Sequence, residues 1–238
     1  MIIGRGLLAS ALRGIDDDSY LFYANGISNS VLEDIPRNNF EIEEVKRISI
    51  EHRERIFIYF STSQVNSELN HDRAYVKHKL YIEELIKRKF ENYLIIRTSN
   101  LVGFNPWNQH TLFNYLYHAL TVNEQITVNP ILERNFLDVS HFTSLLKNYL
   151  ENYDLNQIVE IVNPLSFTMN QLISDFEKCF SKRFHLKKES GKNDFAVFEL
   201  NTKLSKILFK NCNISIDNYI PRLLKKYYVD SPVKNLNY

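Results

Sequence analysis

The sequence contains few of the residues that mark special classes of protein. Only two of its 238 residues are cysteines, Cys179 and Cys212, and their spacing fits neither a disulfide framework nor a zinc site. Glycine and proline occur six times each, so no flexible linker is expected. The histidines show no metal-ligand spacing. We therefore expect an ordered chain from a reducing compartment, without disulfides or a bound metal ion.

The chain also lacks a dominant charge and a long hydrophobic run. Lysine and arginine number 29 against 28 aspartates and glutamates, which leaves no overall field to attract nucleic acid or an anionic membrane. No apolar stretch approaches the roughly 18 residues of a membrane-spanning helix. The start, Met1-Ile2-Ile3-Gly4, leaves no room for a signal peptide. We expect a cytoplasmic protein that has neither nucleic acid nor a membrane as a partner.

Short apolar runs alternate with helical patterns through the first two-thirds of the chain. Strands are predicted at 1–3, 20–24, 55–60, 93–96, 136–139, 158–162 and 184–188. Helices are predicted at 7–12, 40–50, 75–89, 112–120, 142–150, 168–180, 202–209 and 216–228. This alternation predicts an α/β fold, a parallel sheet with helices on both faces, which binds ligands at the carboxyl ends of its strands.

A glycine-rich turn follows the first predicted strand. Gly4-Arg5-Gly6-Leu7-Leu8-Ala9 has the form G-x-G-x-x-A. In that form the first glycine makes the tight turn and the second lets the backbone approach a pyrophosphate, which the helix N-terminus then binds. An ordinary strand–helix turn accounts for the pattern equally well, so it indicates a dinucleotide site only through its position at a strand–helix junction.

A second motif combines a phenol, an ammonium group and hydroxyls. Tyr75 and Lys79 are four residues apart, so a helix brings them onto one face. An ammonium group beside a phenol lowers the pKa of the phenol, as a general acid or base requires. The preceding strand ends in Ser61-Thr62-Ser63, which places hydroxyls at its carboxyl end. The alternative interpretation is an exposed helix with no chemical role.

Five segments occur in the order of the corresponding segments of extended short-chain dehydrogenases/reductases, the NAD-dependent epimerase/dehydratase group. They are IYFSTSQV, AYVKHKLYIEELI, YLIIRTSNLVG, RNFLDVSHF and IVEIVNPLSFTMNQLI. The chain resembles this family loosely from residue 1 to about residue 228. The resemblance implies an abbreviated Rossmann-like core at residues 1–164. It also implies a small substrate-side region at residues 165–238, to which residues 104–135 contribute.

The resemblance implies roles for individual residues. Thr62, Tyr75 and Lys79 would be catalytic, with Lys79 lowering the pKa of Tyr75 and binding the nicotinamide ribose. The cofactor-binding residues would be Gly4, Gly6, Leu7, Leu8, Ala24 and Lys79. The substrate-binding residues would be Ser63, Asn100 and Arg134, whose guanidinium suits phosphate oxygens. The alternatives are a turn residue for Asn100 and a surface salt bridge for Arg134.

The chain departs from the family in two respects. Only 71 residues separate Gly4 from Tyr75, and no segment corresponds to the second and third strands. The acidic residue that binds the adenine ribose ends the second strand, so we expect weak binding of NAD or NADP. Dehydrating members carry an Asp-Glu pair after the threonine, whereas this chain has Ser63-Gln64, which disfavours dehydration.

The resulting hypothesis is an NAD- or NADP-dependent oxidoreductase or epimerase for a nucleotide-linked sugar, in surface polysaccharide biosynthesis. Trp107, in a loop at 105–110, is a candidate lid or sugar platform, with ordinary packing as the alternative. Two other classes remain open. One is a catalytically silent nucleotide or nucleotide-sugar binding protein. The other is an assembly partner whose exposed first strand pairs with another chain to form a dimer.

Overall fold

Five apolar runs of the chain form one parallel sheet in the computed structural model, which describes residues 1–27, 34–103, 111–188 and 199–230. The strands are β1 Ile2–Ile3, β2 Tyr20–Tyr23, β3 Ile56–Thr62, β4 Tyr93–Thr98, β5 Asn100–Val102, β6 Gln125–Val128, β7 Glu133–Asp138, β8 Gln157–Ile161, β9 Ser166–Thr168 and β10 His185–Lys188. The α-helices are α1 Leu7–Leu12, α2 Ile35–Glu51, α3 Ala74–Lys89, α4 Leu112–Val122, α5 Val139–Asn152, α6 Met169–Phe180, α7 Lys203–Asn211 and α8 Tyr219–Leu224. A π-helical turn, Lys225–Val229, continues α8.

The main sheet has the order β1-β2-β3-β4-β8, and every neighbouring pair is parallel. β3 is buried along almost its whole length, as a parallel strand covered on both faces must be. β1 pairs only with β2 and forms an edge, since no strand of the described residues lies beyond it. The predicted Rossmann-like parallel sheet is confirmed, and so is its abbreviation beside the first strand.

Side chains of the strands alternate between two hydrophobic clusters, one on each face of the sheet. In β2, Leu21 and Tyr23 join the smaller cluster, and Phe22 joins the larger one. The smaller cluster is covered by α2 and α3 through residues such as Val45 and Ile82. The larger cluster includes residues of α5 to α8. Helices therefore cover both faces, as the alternation of the sequence predicts.

Capping residues set the starts of two helices. α2 begins at Ile35, five residues before the predicted start, because Asp34 accepts a hydrogen bond from the main-chain N–H of Arg37 at 3.0 Å and Pro36 lies in the first turn. α6 begins after Thr168, which forms a reciprocal capping box with Gln171.

Two smaller sheets were not predicted. β7 lies between β5 and β9, and β6 pairs with β10. Asn135 of β7 donates to the main-chain oxygens of Asn163 and Leu165, at 2.8 and 2.9 Å, which holds β7 beside the end of β8. At the end of β7, the buried Asp138 accepts hydrogen bonds from Lys226 and Tyr227, both at 2.7 Å. These bonds attach the C-terminal helical segment to the strand that carries Arg134.

Within the described ranges, no helix is both long enough and apolar enough to cross a membrane.

Candidate active site

The glycine turn joins β1 to α1 at the carboxyl end of the sheet. Gly4 has φ +135°, and a Cβ on it would lie 2.5 Å from the carbonyl oxygen of Ala24, so this turn requires glycine. At Gly6, in contrast, a Cβ would have no atom within 4 Å. The fold therefore needs the first glycine but not the second. The backbone at Gly6 therefore borders open space, which we call the cradle, and a pyrophosphate group has room to approach the backbone there.

Leu7 and Leu8 form the start of α1 and are partly exposed. The N-cap of this helix is Gly6, which supplies no side-chain hydrogen bond to the first turn. The side chain of Leu7 packs close to Gly103, whose added Cβ would lie 2.8 Å from a Leu7 methyl group. Any contribution of these leucines to anion binding would therefore come from their backbone N–H groups.

Thr62 and Tyr75 lie together at the carboxyl end of β3. Thr62 is the last residue of that strand, and Tyr75 lies in the first turn of α3. The Thr62 hydroxyl lies close enough to the Tyr75 phenol to lower the pKa of the phenol, and it accepts a hydrogen bond from the main-chain N–H of Gln64 at 3.2 Å. Two hydroxyl groups from separate elements thus meet where ligands of parallel sheets bind.

The Tyr75 phenol is a weak acid in this setting. Burial raises its pKa to about 12, although the hydrogen bond from Thr62 opposes the increase. The negative charge of Glu41 raises the pKa further, and the positive charge of Arg73 lowers it. The phenol therefore stays protonated throughout the neutral pH range.

Lys79 lies behind Tyr75 and is only 2% exposed. Its ammonium nitrogen is 5.9 Å from the centre of the Tyr75 ring. It donates a hydrogen bond to the Tyr59 hydroxyl at 2.9 Å and forms an ion pair with Glu41, with 3.6 Å between Nζ and Oε1. We call Glu41, Tyr59, His78 and Lys79 the lysine cluster. All four side chains are buried.

The predicted role of Lys79, to lower the pKa of Tyr75 and bind a ribose, stays a prediction. The pKa of Tyr75 is raised, mainly by burial, and the ammonium group of Lys79 contacts Tyr59 and Glu41 of the lysine cluster. The carboxylate of Glu41 compensates the charge of Lys79 inside the protein. Burial lowers the pKa of Lys79, and the charge of Glu41 opposes that shift.

Glu41 is a residue that the sequence analysis missed. Burial opposes its ionisation, but the charge of Lys79 and hydrogen bonds from His78, Ile27 and Tyr59 lower its pKa to about 2. The available signal was its position, because Glu41 precedes Val45 by four residues and lies on the apolar face of α2. An acidic residue on such a face needs a buried cation as a partner.

Ser63 and Gln64 follow Thr62 in a short 3₁₀ turn. Ser63 is 0% exposed, and its hydroxyl has no hydrogen-bond partner among the described residues. The structure therefore does not bring Ser63 to the surface of the cleft. The side-chain oxygen of Gln64 accepts a hydrogen bond from Arg73 at 3.2 Å. Arg73 is the N-cap of α3, two residues before Tyr75, and sequence reasoning did not single it out.

Asn100 and Arg134 lie on paired strands of the smaller sheet. β5 pairs with β7 so that Asn100 is opposite Phe136, two residues from Arg134. Asn100 is exposed, and its amide donates to the main-chain oxygen of Asn135 at 2.9 Å. Burial, together with the charge of Arg73, lowers the pKa of the partly exposed Arg134. The guanidinium groups of Arg73 and Arg134 thus lie close enough to influence each other, an arrangement that favours an anionic ligand beside them.

A separate cavity of about 450 Å³ contains none of the predicted site residues. Its lining includes Asn66, Arg97, Glu160 and Asn201. Burial raises the pKa of Glu160 to about 7, although hydrogen bonds from the Asn201 main chain and the Asn66 side chain, at 2.7 and 2.9 Å, favour the ionised form.

Two further expectations concern Trp107 and metal binding. Trp107 and the predicted loop at 105–110 lie outside the described residues. Across the described part of the chain, no group of three or more histidine, cysteine, aspartate or glutamate side chains could hold a metal ion.

The residues at the carboxyl end of the sheet fit a nicotinamide dinucleotide at two places. The cradle at Gly6 fits the pyrophosphate, and the hydroxyls of Thr62 and Tyr75 fit the position of a reacting oxygen. One expected contact does not fit, because Lys79 is enclosed in the lysine cluster. The adenosine side has no strand beyond β1 among the described residues.

Comparison with solved structures shows the same fold in enzymes of known type. RMD from Pseudomonas aeruginosa, complexed with NADPH, is 13% identical, with a TM-score of 0.67 over 87% of this chain and 80% of that chain. A UDP-glucose 4-epimerase is 13% identical, with a TM-score of 0.68 over 92% of this chain and 81% of that chain. MoeE5 in complex with UDP-glucuronic acid and NAD is 15% identical, with a TM-score of 0.66 over 86% of this chain and 76% of that chain.

These comparisons confirm the family resemblance at the level of the fold. The sequence matches no family model and no curated protein. Identities of 13 to 15% leave the reaction and the substrate to be argued from the site itself.

Proposed function

We propose that the chain is an NAD- or NADP-dependent oxidoreductase or epimerase that acts on a nucleotide-linked sugar by keto reduction or epimerisation. The observation that carries this proposal is the proximity of the Thr62 hydroxyl and the Tyr75 phenol at the carboxyl end of β3, close enough for Thr62 to lower the pKa of the phenol. A phenol and a hydroxyl that meet there can both contact the oxygen of one carbonyl or alcohol group. Dehydration is excluded from the proposal because Ser63-Gln64 offers no carboxyl group as an acid or base.

Residues on both sides of the Thr62–Tyr75 pair have roles in this proposal. The backbone from Gly4 to Leu8, with Ala24 beneath it, binds the dinucleotide. Asn100 and Arg134 bind the sugar nucleotide, and Arg73 adds a second positive charge for its diphosphate. Substrate binding by Ser63 is not part of the proposal, because its side chain is fully buried. We assign the cofactor to a core at residues 1–164 and the substrate to residues 165–238, with residues 104–135 contributing.

A nicotinamide dinucleotide, when bound, supplies or accepts a hydride at the carbon that carries the substrate oxygen. The residues of the chain perform the remaining tasks. Tyr75 holds the proton that is exchanged with the substrate oxygen, and Thr62 orients that oxygen and the phenol. A cytoplasmic location and a role in surface polysaccharide biosynthesis, which the family resemblance suggests, complete the proposal.

The test combines cofactor titration with one conservative substitution. NADH and NADPH are titrated while nicotinamide fluorescence is followed, and turnover is measured with nucleotide-linked keto sugars. Tyr75→Phe should reduce turnover at least about 100-fold, because a general acid is lost, while cofactor affinity changes little. Tyr81→Phe, an exposed tyrosine of the same helix, is the matched control and should have no effect. A Tyr75→Phe protein with undiminished activity contradicts the catalytic assignment.

One observation favours a second function, that of a catalytically silent nucleotide or nucleotide-sugar binding protein. Lys79 is neutralised by Glu41 instead of being presented to the cleft, and the adenosine side is open. If neither dinucleotide binds at millimolar concentration but a nucleotide sugar does, this second function replaces the first.

A further inference from the structure

The lysine cluster compensates the charge of Lys79 within the protein. Besides its ion pair with Lys79, Glu41 accepts hydrogen bonds from the main-chain N–H of Ile27 at 3.0 Å, the hydroxyl of Tyr59 at 2.7 Å and the imidazole of His78 at 3.0 Å. A carboxylate with so many donors stays ionised. With Lys79 protonated, the Lys79–Glu41 pair therefore has no net charge.

This neutrality matters for Tyr75, whose ring centre is 5.9 Å from the Lys79 ammonium group. At that distance an uncompensated positive charge in a buried setting would strongly favour the phenolate. The Glu41 carboxylate is also close enough to act on Tyr75, and its effect has the opposite sign. The charge of Glu41 therefore opposes at the phenol the effect that the charge of Lys79 would have.

The other groups that act on the pair and on the phenol come from every neighbouring element. They are Thr62 and Tyr59 from β3, Arg37 from α2, and Arg73, His78 and Glu83 from α3 or its N-cap. Of the two cations, Arg73 acts on Tyr75 and Arg37 acts on Lys79. Neither takes the position beside the phenol that Lys79 occupies.

We infer that Glu41 is a positioning residue which, by neutralising Lys79, keeps Tyr75 protonated at rest, so that the site is set to donate a proton to the oxygen of a sugar ketone. This inference rests on the proposed function and concerns its keto-reduction step. The carbonyl carbon gains a hydride from a reduced nicotinamide dinucleotide, which becomes oxidised. The carbonyl oxygen gains the Tyr75 proton, and Tyr75 recovers a proton from water.

The ionisation of Tyr75 can be measured without substrate or cofactor. The protein is labelled with tyrosine carrying ¹³C at Cζ, and the Tyr75 resonance is identified as the one that Tyr75→Phe removes. In the wild type it should keep the position of a protonated phenol up to about pH 10.5. In Glu41→Gln it should begin to move at least about one pH unit earlier, because the Lys79 charge is no longer compensated.

Two further variants separate charge from general damage to the fold. In Glu41→Gln/Lys79→Met the pair is removed as a neutral unit, so the Tyr75 resonance should behave as in the wild type. Glu44→Gln removes a carboxylate of α2 that binds Tyr23 and Asn25 instead of Lys79, and it should change nothing. A wild-type Tyr75 that titrates below about pH 9.5, or the same titration in Glu41→Gln and wild type, overturns the inference.

The result remains decisive if Glu41→Gln does not fold or if the proposed function fails. In the first case the wild type and the double variant suffice, since a shift of more than about one pH unit between them contradicts a neutral pair. In the second case neither dinucleotide binds, yet the titration still tests the role of Glu41. Where turnover is found, keto reduction should be constant from about pH 6 to pH 9.5, and a decline within that range overturns the inference.

Discussion

Two regions border the carboxyl end of the main sheet, and they differ in how firmly they are built. The closed half consists of β2, β3, α2 and α3, and it contains the lysine cluster, Thr62 and Tyr75. The open half consists of β1, the Gly4–Gly6 turn and α1, with only two residues in its strand. A bound dinucleotide would therefore meet a rigidly packed surface at its reacting end, beside Thr62 and Tyr75, and little more than one turn at its adenosine end.

The largest loss of stability is expected for a substitution in the closed half. Lys79→Met leaves the Glu41 carboxylate buried without its cation, which should cost about 3–5 kcal/mol of the free energy of unfolding. The double variant Glu41→Gln/Lys79→Met should recover most of this loss. Chemical denaturation of the wild type, both single variants and the double variant gives the coupling energy. Additive losses would show that the two side chains do not act as a pair.

The next effect tests the open half through its first glycine. Gly4→Ala places a Cβ about 2.5 Å from the Ala24 carbonyl oxygen at a φ of +135°, so the turn must distort. We expect a loss of about 2–3 kcal/mol of unfolding free energy, from strain and steric overlap together. Thermal and chemical denaturation measure the loss. An unchanged stability would mean that the open half tolerates rearrangement at this turn.

The second glycine of the turn differs from the first, because its substitution should affect dinucleotide binding and not folding. Gly6→Ala meets no atom within 4 Å, so stability should change by less than about 0.5 kcal/mol. A methyl group in the cradle should weaken NADH or NADPH binding about tenfold, which corresponds to about 1.4 kcal/mol. Fluorescence titration checks this. Equal affinity in both proteins would show that the pyrophosphate does not lie at Gly6.

The last prediction tests whether pairing with a cation explains the low pKa of the buried carboxyl group in the closed half. Glu41, paired with Lys79, has a pKa of about 2, so the stability that it provides is present above about pH 4.5 and lost as the pH falls towards 2. Within the described part of the chain Glu160 forms no such ion pair, since Arg97 binds Glu83, and burial raises the pKa of Glu160 to about 7. The stability linked to protonated Glu160 is therefore complete below about pH 4.5 and lost as the pH rises through about 7.

Glu160→Gln imitates the protonated carboxyl group and tests this difference. Relative to the wild type, its free energy of unfolding should increase by about 1–2 kcal/mol between pH 4.5 and pH 8. Urea denaturation at several pH values provides the measurement, and a difference that is independent of pH would contradict the assignment.

Elements with a clear apolar pattern or flanking turn residues were predictable from the sequence, and three short strands of the smaller sheets were not. α1 and α3 match their predicted ranges to within one residue, because turn residues or a clear apolar stripe define them. β5, β6 and β9 have only three or four residues each. They exist through partners far along the chain, such as β10 for β6, and no local pattern indicates such pairings.

The candidate site, too, was only partly predictable from the sequence. The proximity of Tyr75 and Thr62 could be predicted from the sequence, because the end of a strand and the start of the following helix lie close together in an α/β unit. The partner of Lys79 could not be identified, since Glu41 lies 38 positions earlier on another helix. The same polar residue types occur on solvent-facing helices and in buried polar clusters. Only the packing of α2 on α3 shows which of the two settings applies here.

The brevity of β1 has a consequence for assembly and solubility. A sheet edge that recruits another chain needs a row of free backbone groups, and β1 has only two residues in its ladder. Native proteins use very short edge strands to prevent aggregation between sheets. An edge this short is too small to template a fibril or a continuous intermolecular sheet, which argues against the chain serving as an assembly partner through this strand.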